Sequence, residues 1–176
     1  MSNQYYLMHK NIRCGMAELD NISGGILNYE DYSTGASPYM GTADLNKIKK
    51  WWKMRAVPAN RNMMHEILKR NELFSPEAYL TKNLGLSMTD AYWICPVEIE
   101  LKYEDVKFKN AKEYNDGNMS YHSATYYSSE YDLNGSLGGQ MEKCWDFTTI
   151  LPTLIKESSK YYGLQSMNEV VATYIH

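Results

Sequence analysis

The chain has too few cysteines to be held together by them. Its three, Cys14, Cys95 and Cys144, lie far apart, and no CxxC pair occurs. That disfavours a disulfide framework and a zinc site alike, and reduced thiols in an intracellular compartment are the simple reading. Phenylalanine is also scarce, at three residues against 16 tyrosines, so many core or interface positions must find a partner for a phenol hydroxyl. There is no excess of basic residues. The net charge is −3, and direct nucleic-acid binding is not expected. No apolar run approaches about 18 residues, and the N-terminus lacks a basic-plus-apolar leader. A cytoplasmic protein without a membrane contact is expected. Neither GxxxxGK[ST] nor GxGxxG occurs, and His65-Glu66 lacks the second histidine of HExxH. His9, His65, His122 and His176 are scattered, and no serine or cysteine has a supported base partner, so neither a metal nor a catalytic residue is assigned.

What is present suits one domain, or one domain with a small appendage, in 176 residues. Tyr5 to His9 and Ile12 to Leu19 read as strands joined by a turn at Lys10-Asn11. Ile26 to Tyr32 alternates Ile26, Asn28 and Glu30 against Leu27, Tyr29 and Asp31, which adds a third strand to an antiparallel meander. Thr42 is placed to cap a helix over Ala43 to Met54 with Leu45, Ile48 and Trp52 on one face, and Pro58 ends it. A second helix is expected over Asn60 to Lys69. A third is capped by Ser75, with Pro76 and Glu77 in its first turn and Gly85 closing it. Ser87 is placed to cap a short fourth helix through Tyr92. Trp93 to Leu101 reads as extended. Asn110 to Ser120 is a linker, and the Tyr/Ser-rich stretch from Ser120 to Tyr131 is of a kind that orders against something else. Met141 to Thr148 and Thr149 to Lys156 are expected to form an antiparallel pair, and a last helix begins near Met167. Domain organisation is accordingly an N-terminal meander and helical subdomain over 1–109, a connector over 110–131 and a C-terminal unit over 132–176.

Two groups of residues carry candidate chemistry. The first joins a glycine turn, Gly135-Ser136-Leu137-Gly138-Gly139, to a strand bearing Lys156 and a helix bearing Glu169. A kinase-type nucleotide lobe has the same order of parts, in which the lysine contacts the α/β-phosphates and the helix glutamate positions it. An inward-facing strand lysine needs a carboxylate or an anion; an outward-facing one is an ordinary surface residue. The glycines let a backbone approach phosphates, and they also make plain hairpins. The second group is Lys47-Ile48-Lys49-Lys50-Trp51-Trp52-Lys53-Met54-Arg55 with the loop through Pro58 to Arg61. Its lysines read as the wet side of an amphipathic helix. Arg55 and Arg61, beside Trp51 and Trp52, suit either an anion or partner contact, or pairing with local carboxylates.

At these residues the chain resembles the N-terminal half of HipA-like serine/threonine kinases, stopping before the catalytic lobe. Leu7-Met8-His9-Lys10 and Ala17-Glu18-Leu19-Asp20 are similar to the family's opening strands, and Trp51-Trp52 through Arg61 to its first helix and arginine loop. Gly85-Leu86-Ser87 with Asp90-Ala91-Tyr92-Trp93-Ile94-Cys95-Pro96 resembles its tryptophan motif. Glu142-Lys143, Trp145, Leu154-Ile155-Lys156 and Asn168-Glu169-Val170 resemble its nucleotide-lobe core. The resemblance implies that Lys156 is the ATP-contacting lysine, Glu169 its partner, and Gly135, Ser136, Gly138 and Gly139 the phosphate loop. It also implies that ATP would bind only if a catalytic lobe completed the site.

The expectation is therefore an α+β protein with an N-terminal antiparallel meander, a helical middle and a partial kinase-like N-lobe of a small antiparallel sheet plus one helix. As it stands the chain is expected to bind rather than catalyse. Its protein partner would be the missing kinase lobe, a helix-turn-helix antitoxin or another target, with self-association as a homo-oligomer also open. The alternatives are a fragment of an active HipA-like kinase and a mobile-element inhibitor of a host defence complex.

Overall fold

The computed structural model describes residues 3–39, 43–59, 64–87 and 89–107, together with the backbone of 143–146 and 153–156. Three N-terminal strands, β1 (Gln4–His9), β2 (Ile12–Leu19) and β3 (Ile26–Asp31), form the expected meander. A fourth strand, β4 (Tyr92–Pro96), arrives from far along the chain and pairs with β1, so the antiparallel sheet has the order β3-β2-β1-β4. The sequence reading left this strand outside the meander. The β1–β4 half is buried on both faces, with Leu7 opposite Ile94 and Met8 opposite Trp93. Double burial explains why this strand reads as an unbroken apolar run and not as an alternation.

The alternation read in β3 is interrupted. Glu18 pairs with Asn28 but Leu19 pairs with Ile26, so the register slips at this point. One extra residue moves the following side chains to the opposite face. Ile26 is buried, Tyr29 and Asp31 are half-buried, and Leu27, Asn28 and Glu30 are exposed.

Helix α1 (Leu45–Arg55) lays Ile48 and Trp52 into the core. Its cap is Asp44, whose Oδ1 accepts the Lys47 N–H at 2.8 Å, rather than Thr42, which lies outside the described residues. Trp52 is fully buried and its indole donates to the Gly24 carbonyl at 2.9 Å. Helix α2 (Met64–Arg70) and helix α3 (Pro76–Lys82) follow. The start expected for the second helix, Asn60, lies outside the described residues. The third has the expected Ser75 cap and Pro76 start. Gly85, at φ +63°, donates to the Leu80 carbonyl and closes that end.

Among the described residues from Ser87 to Tyr92 there is no helix, and Tyr92 already belongs to β4. Nearby side chains take the hydrogen bonds a helix would need, since Ser87 Oγ accepts from the Thr89 N–H and Asp90 Oδ1 from the Tyr92 N–H. The extended stretch expected to reach Leu101 stops at Pro96. It gives way to a turn and a short helix, α4 (Tyr103–Val106), which the sequence reading did not contain. Asn11, in the β1–β2 turn, takes the role of its cap by accepting the Tyr103 N–H at 2.8 Å. Tyr103 then packs on Trp93, at 6.4 Å between ring centroids. In the C-terminal unit, β5 (Lys143–Asp146) pairs antiparallel with β6 (Thr153–Lys156), inside the two expected strands, whose other residues lie outside the described ones.

Candidate functional site

Arg55, the last residue of α1, is buried, and four of the five N–H groups of a guanidinium have partners here. Nε donates to the Gly85 carbonyl at 2.7 Å, Nη1 to Asp90 Oδ2 at 2.6 Å, and Nη2 to Asp90 Oδ1 at 2.8 Å and to the Tyr92 carbonyl at 2.9 Å. The forked pair with Asp90 is the strong form of this contact. Of the two uses the sequence left open for Arg55, the local carboxylate is the one observed. Asp90 also holds the Tyr92 N–H, so a single carboxylate ties the end of α1 to the start of β4.

Aromatic rings extend this knot. The Arg55 guanidinium lies 5.0 Å from the centroid of the Trp51 ring. Trp51 meets Trp52 at 5.9 Å and Tyr92 edge-on at 5.8 Å. Tyr92 in turn stacks at a tilt on His9 at 4.7 Å and donates its hydroxyl to the Ala36 carbonyl. Burial, then the neighbouring Cys14 and Asp90, push the Tyr92 phenol up from its ordinary value. Tyr29 likewise finds Asp31 for its hydroxyl. These two residues meet the demand that a tyrosine-rich core places on its hydroxyls.

Beside the knot is an open recess of about 230 Å³ lined by Trp51, Met54, Arg55, Ser87 and Thr89. Its two hydroxyls lie 2.9 Å apart. Small-molecule pockets run from about 300 to 1,000 Å³ and enclose their ligand. This recess is smaller and has the size to receive a side chain. Residues 47, 50, 51 and 54 follow the i, i+3, i+4, i+7 spacing of one helix face, which makes Lys47, Lys50, Trp51 and Met54 a continuous stripe. Met54 is 68% exposed and Lys50 is exposed. Lys47 lies 3.8 Å from Asp44, both largely in solvent, a contact worth little.

The other predicted residues are distributed differently. Trp52 belongs to the core, and Arg61 lies outside the described residues. Lys156 ends β6, where its register partner is Lys143. Glu169, Gly135, Ser136, Gly138 and Gly139 lie outside the described residues. Among the described residues, no group of three or more His, Cys, Asp or Glu side chains is arranged to hold a metal, and no helix is long and apolar enough to cross a membrane. Sequence reasoning missed Asp90 as the partner of Arg55 and did not single out Lys50 and Met54. The helical spacing of the latter two with Trp51 was the available signal. No family model, curated protein or solved structure matches the chain.

Proposed function

We propose that this chain is a non-catalytic binding protein, related to HipA-like kinases, that works through protein–protein contacts. One observation carries the reading: Arg55 is held inside the fold by Asp90, while the adjoining α1 surface exposes Met54 at an open recess and Lys50 one turn away on the same face. An indole and a thioether in one stripe are contact groups, and the lysine ammoniums beside them supply charge complementarity to a partner. Support for the kinase relationship is the order of short motifs along the sequence, together with an antiparallel strand pair at the expected position of Lys156. On this reading Lys156 and Glu169 would take part in a nucleotide site only together with a catalytic lobe.

The test is native affinity capture of the tagged full chain from its host. A protein recovered in constant ratio to the chain is the expected result. A chain that comes through alone, at low and high salt, contradicts the reading.

A further inference from the structure

We infer that the outward stripe of α1 docks an acidic protein segment that places one apolar side chain in the recess between Trp51 and Met54. This rests on the protein-binding reading above and adds the chemistry of the partner. The first argument is charge. α1 carries Lys47, Lys49, Lys50 and Lys53, all exposed, in a chain whose net charge is −3. Of these four lysines, only Lys47 has a carboxylate of a described residue within ion-pair distance, and that contact is long. The first turn of the helix contains no acidic residue. Lysines one turn apart repel one another, and carboxylates from a partner would remove that repulsion and steer the encounter.

The second argument concerns what lies among the lysines. Binding of a single-stranded nucleic acid is built on aromatic faces free for base stacking. Trp51 is engaged by the guanidinium of Arg55 at 5.0 Å, by Trp52 and by the edge of Tyr92. The free apolar group is Met54, a flexible thioether suited to packing against an aliphatic or aromatic side chain. Ser87 and Thr89 also line the recess and give it two hydroxyls, hydrogen-bonded to one another at 2.9 Å. An apolar anchor ringed by cations fits a segment such as Glu-Asp-Glu-Leu-Glu-Asp-Glu.

The experiment uses the full chain and that peptide, fluorescently labelled, in anisotropy titrations. Companion probes are the same peptide with Ser for Leu, the same with Lys for every acid, and oligothymidylate. The acidic leucine peptide is expected to bind best. Lys50→Glu should weaken it roughly fivefold to tenfold, whereas Lys69→Glu on α2 should leave it unchanged. The double variant Lys47→Glu/Lys50→Glu, with its fold checked by its urea midpoint, should prefer the lysine peptide. Met54→Ser should weaken the leucine peptide and leave the serine peptide unaffected. Tighter binding of oligothymidylate, or acidic-peptide binding indifferent to Lys50 and Met54, overturns the inference. A partner captured from the host that remains bound to the Lys50→Glu chain also overturns it, while leaving the protein-binding reading in place.

Discussion

Arg55 and Asp90, 35 residues apart, form a two-pronged ion pair with N–O distances of 2.6 and 2.8 Å, the arginine side chain 6% exposed and the aspartate 33%. The unequal exposure makes the pair asymmetric. Asp90→Ala strands a buried cation and should cost about 3–5 kcal/mol. Arg55→Met leaves a carboxylate that water can reach, and should cost less by about 1 kcal/mol or more. Arg55→Lys keeps the charge but loses the fork, and should not restore wild-type stability. Urea midpoints of the three full-length variants give the order directly.

Gly85 and Gly35 both have positive φ, +63° and +74°, but their surroundings differ. A Cβ on Gly85 would lie 2.7 Å from Trp52 Cζ3, whereas one on Gly35 would meet nothing within 4 Å. Gly35→Ala should therefore cost only the backbone term, about 1–2 kcal/mol. Gly85→Ala should cost about 1–3 kcal/mol more, because the ring it would push is fully buried. Thermal midpoints of the two variants, measured side by side, check the difference.

Asp44 and Ser75 each accept a backbone N–H in the first turn of a helix. Asp44→Ala should remove about 1 kcal/mol. Ser75→Ala should cost more, because the Ser75 hydroxyl also donates to the Ser23 carbonyl and joins the β2–β3 turn to α3. Chemical denaturation resolves the two.

Burial pushes the Cys14 thiol up from 9.0 to about 11. The folded chain thus holds that proton more tightly than the unfolded chain does. Its contribution to stability is complete below about pH 9 and is lost as pH rises through about 11. Tyr29, raised chiefly by burial, acts in the same direction at still higher pH. Urea midpoints should fall between pH 9 and pH 11, and the fall should be shallower in Cys14→Ala. In the native chain at neutral pH, Cys14 should react with thiol reagents only at the rate of unfolding.

The meander and the third helix were legible because their signals are local: short strand-like runs parted by the Lys10-Asn11 turn for β1 and β2, and Ser75-Pro76-Glu77 at a helix start. Where two local signals competed, the sequence could not choose. Thr42 and Asp44 are both good caps ahead of the same apolar face, and Asp44 is the one that caps. Ser87 reads as a helix start until Thr89 and Asp90 are seen to turn the local hydrogen bonds inward. The β1–β4 pairing, the Arg55–Asp90 pair and the Asn11 cap on α4 join residues 35 to more than 80 positions apart, and no spacing rule reaches that far. The candidate surface was half visible. Trp51 and the outward lysines followed from the face that Ile48 and Trp52 define, but the recess beside Met54 exists only because Ser87 and Thr89, more than 30 positions on, are brought against α1.

The most direct measurement is phosphate transfer by the full chain, incubated with Mg²⁺ and γ-labelled ATP, alone and with a generic protein acceptor. A protein that acts by contact should incorporate no label in either mixture, and Lys156→Ala should be indistinguishable from it. Robust incorporation that Lys156→Ala abolishes would contradict the account.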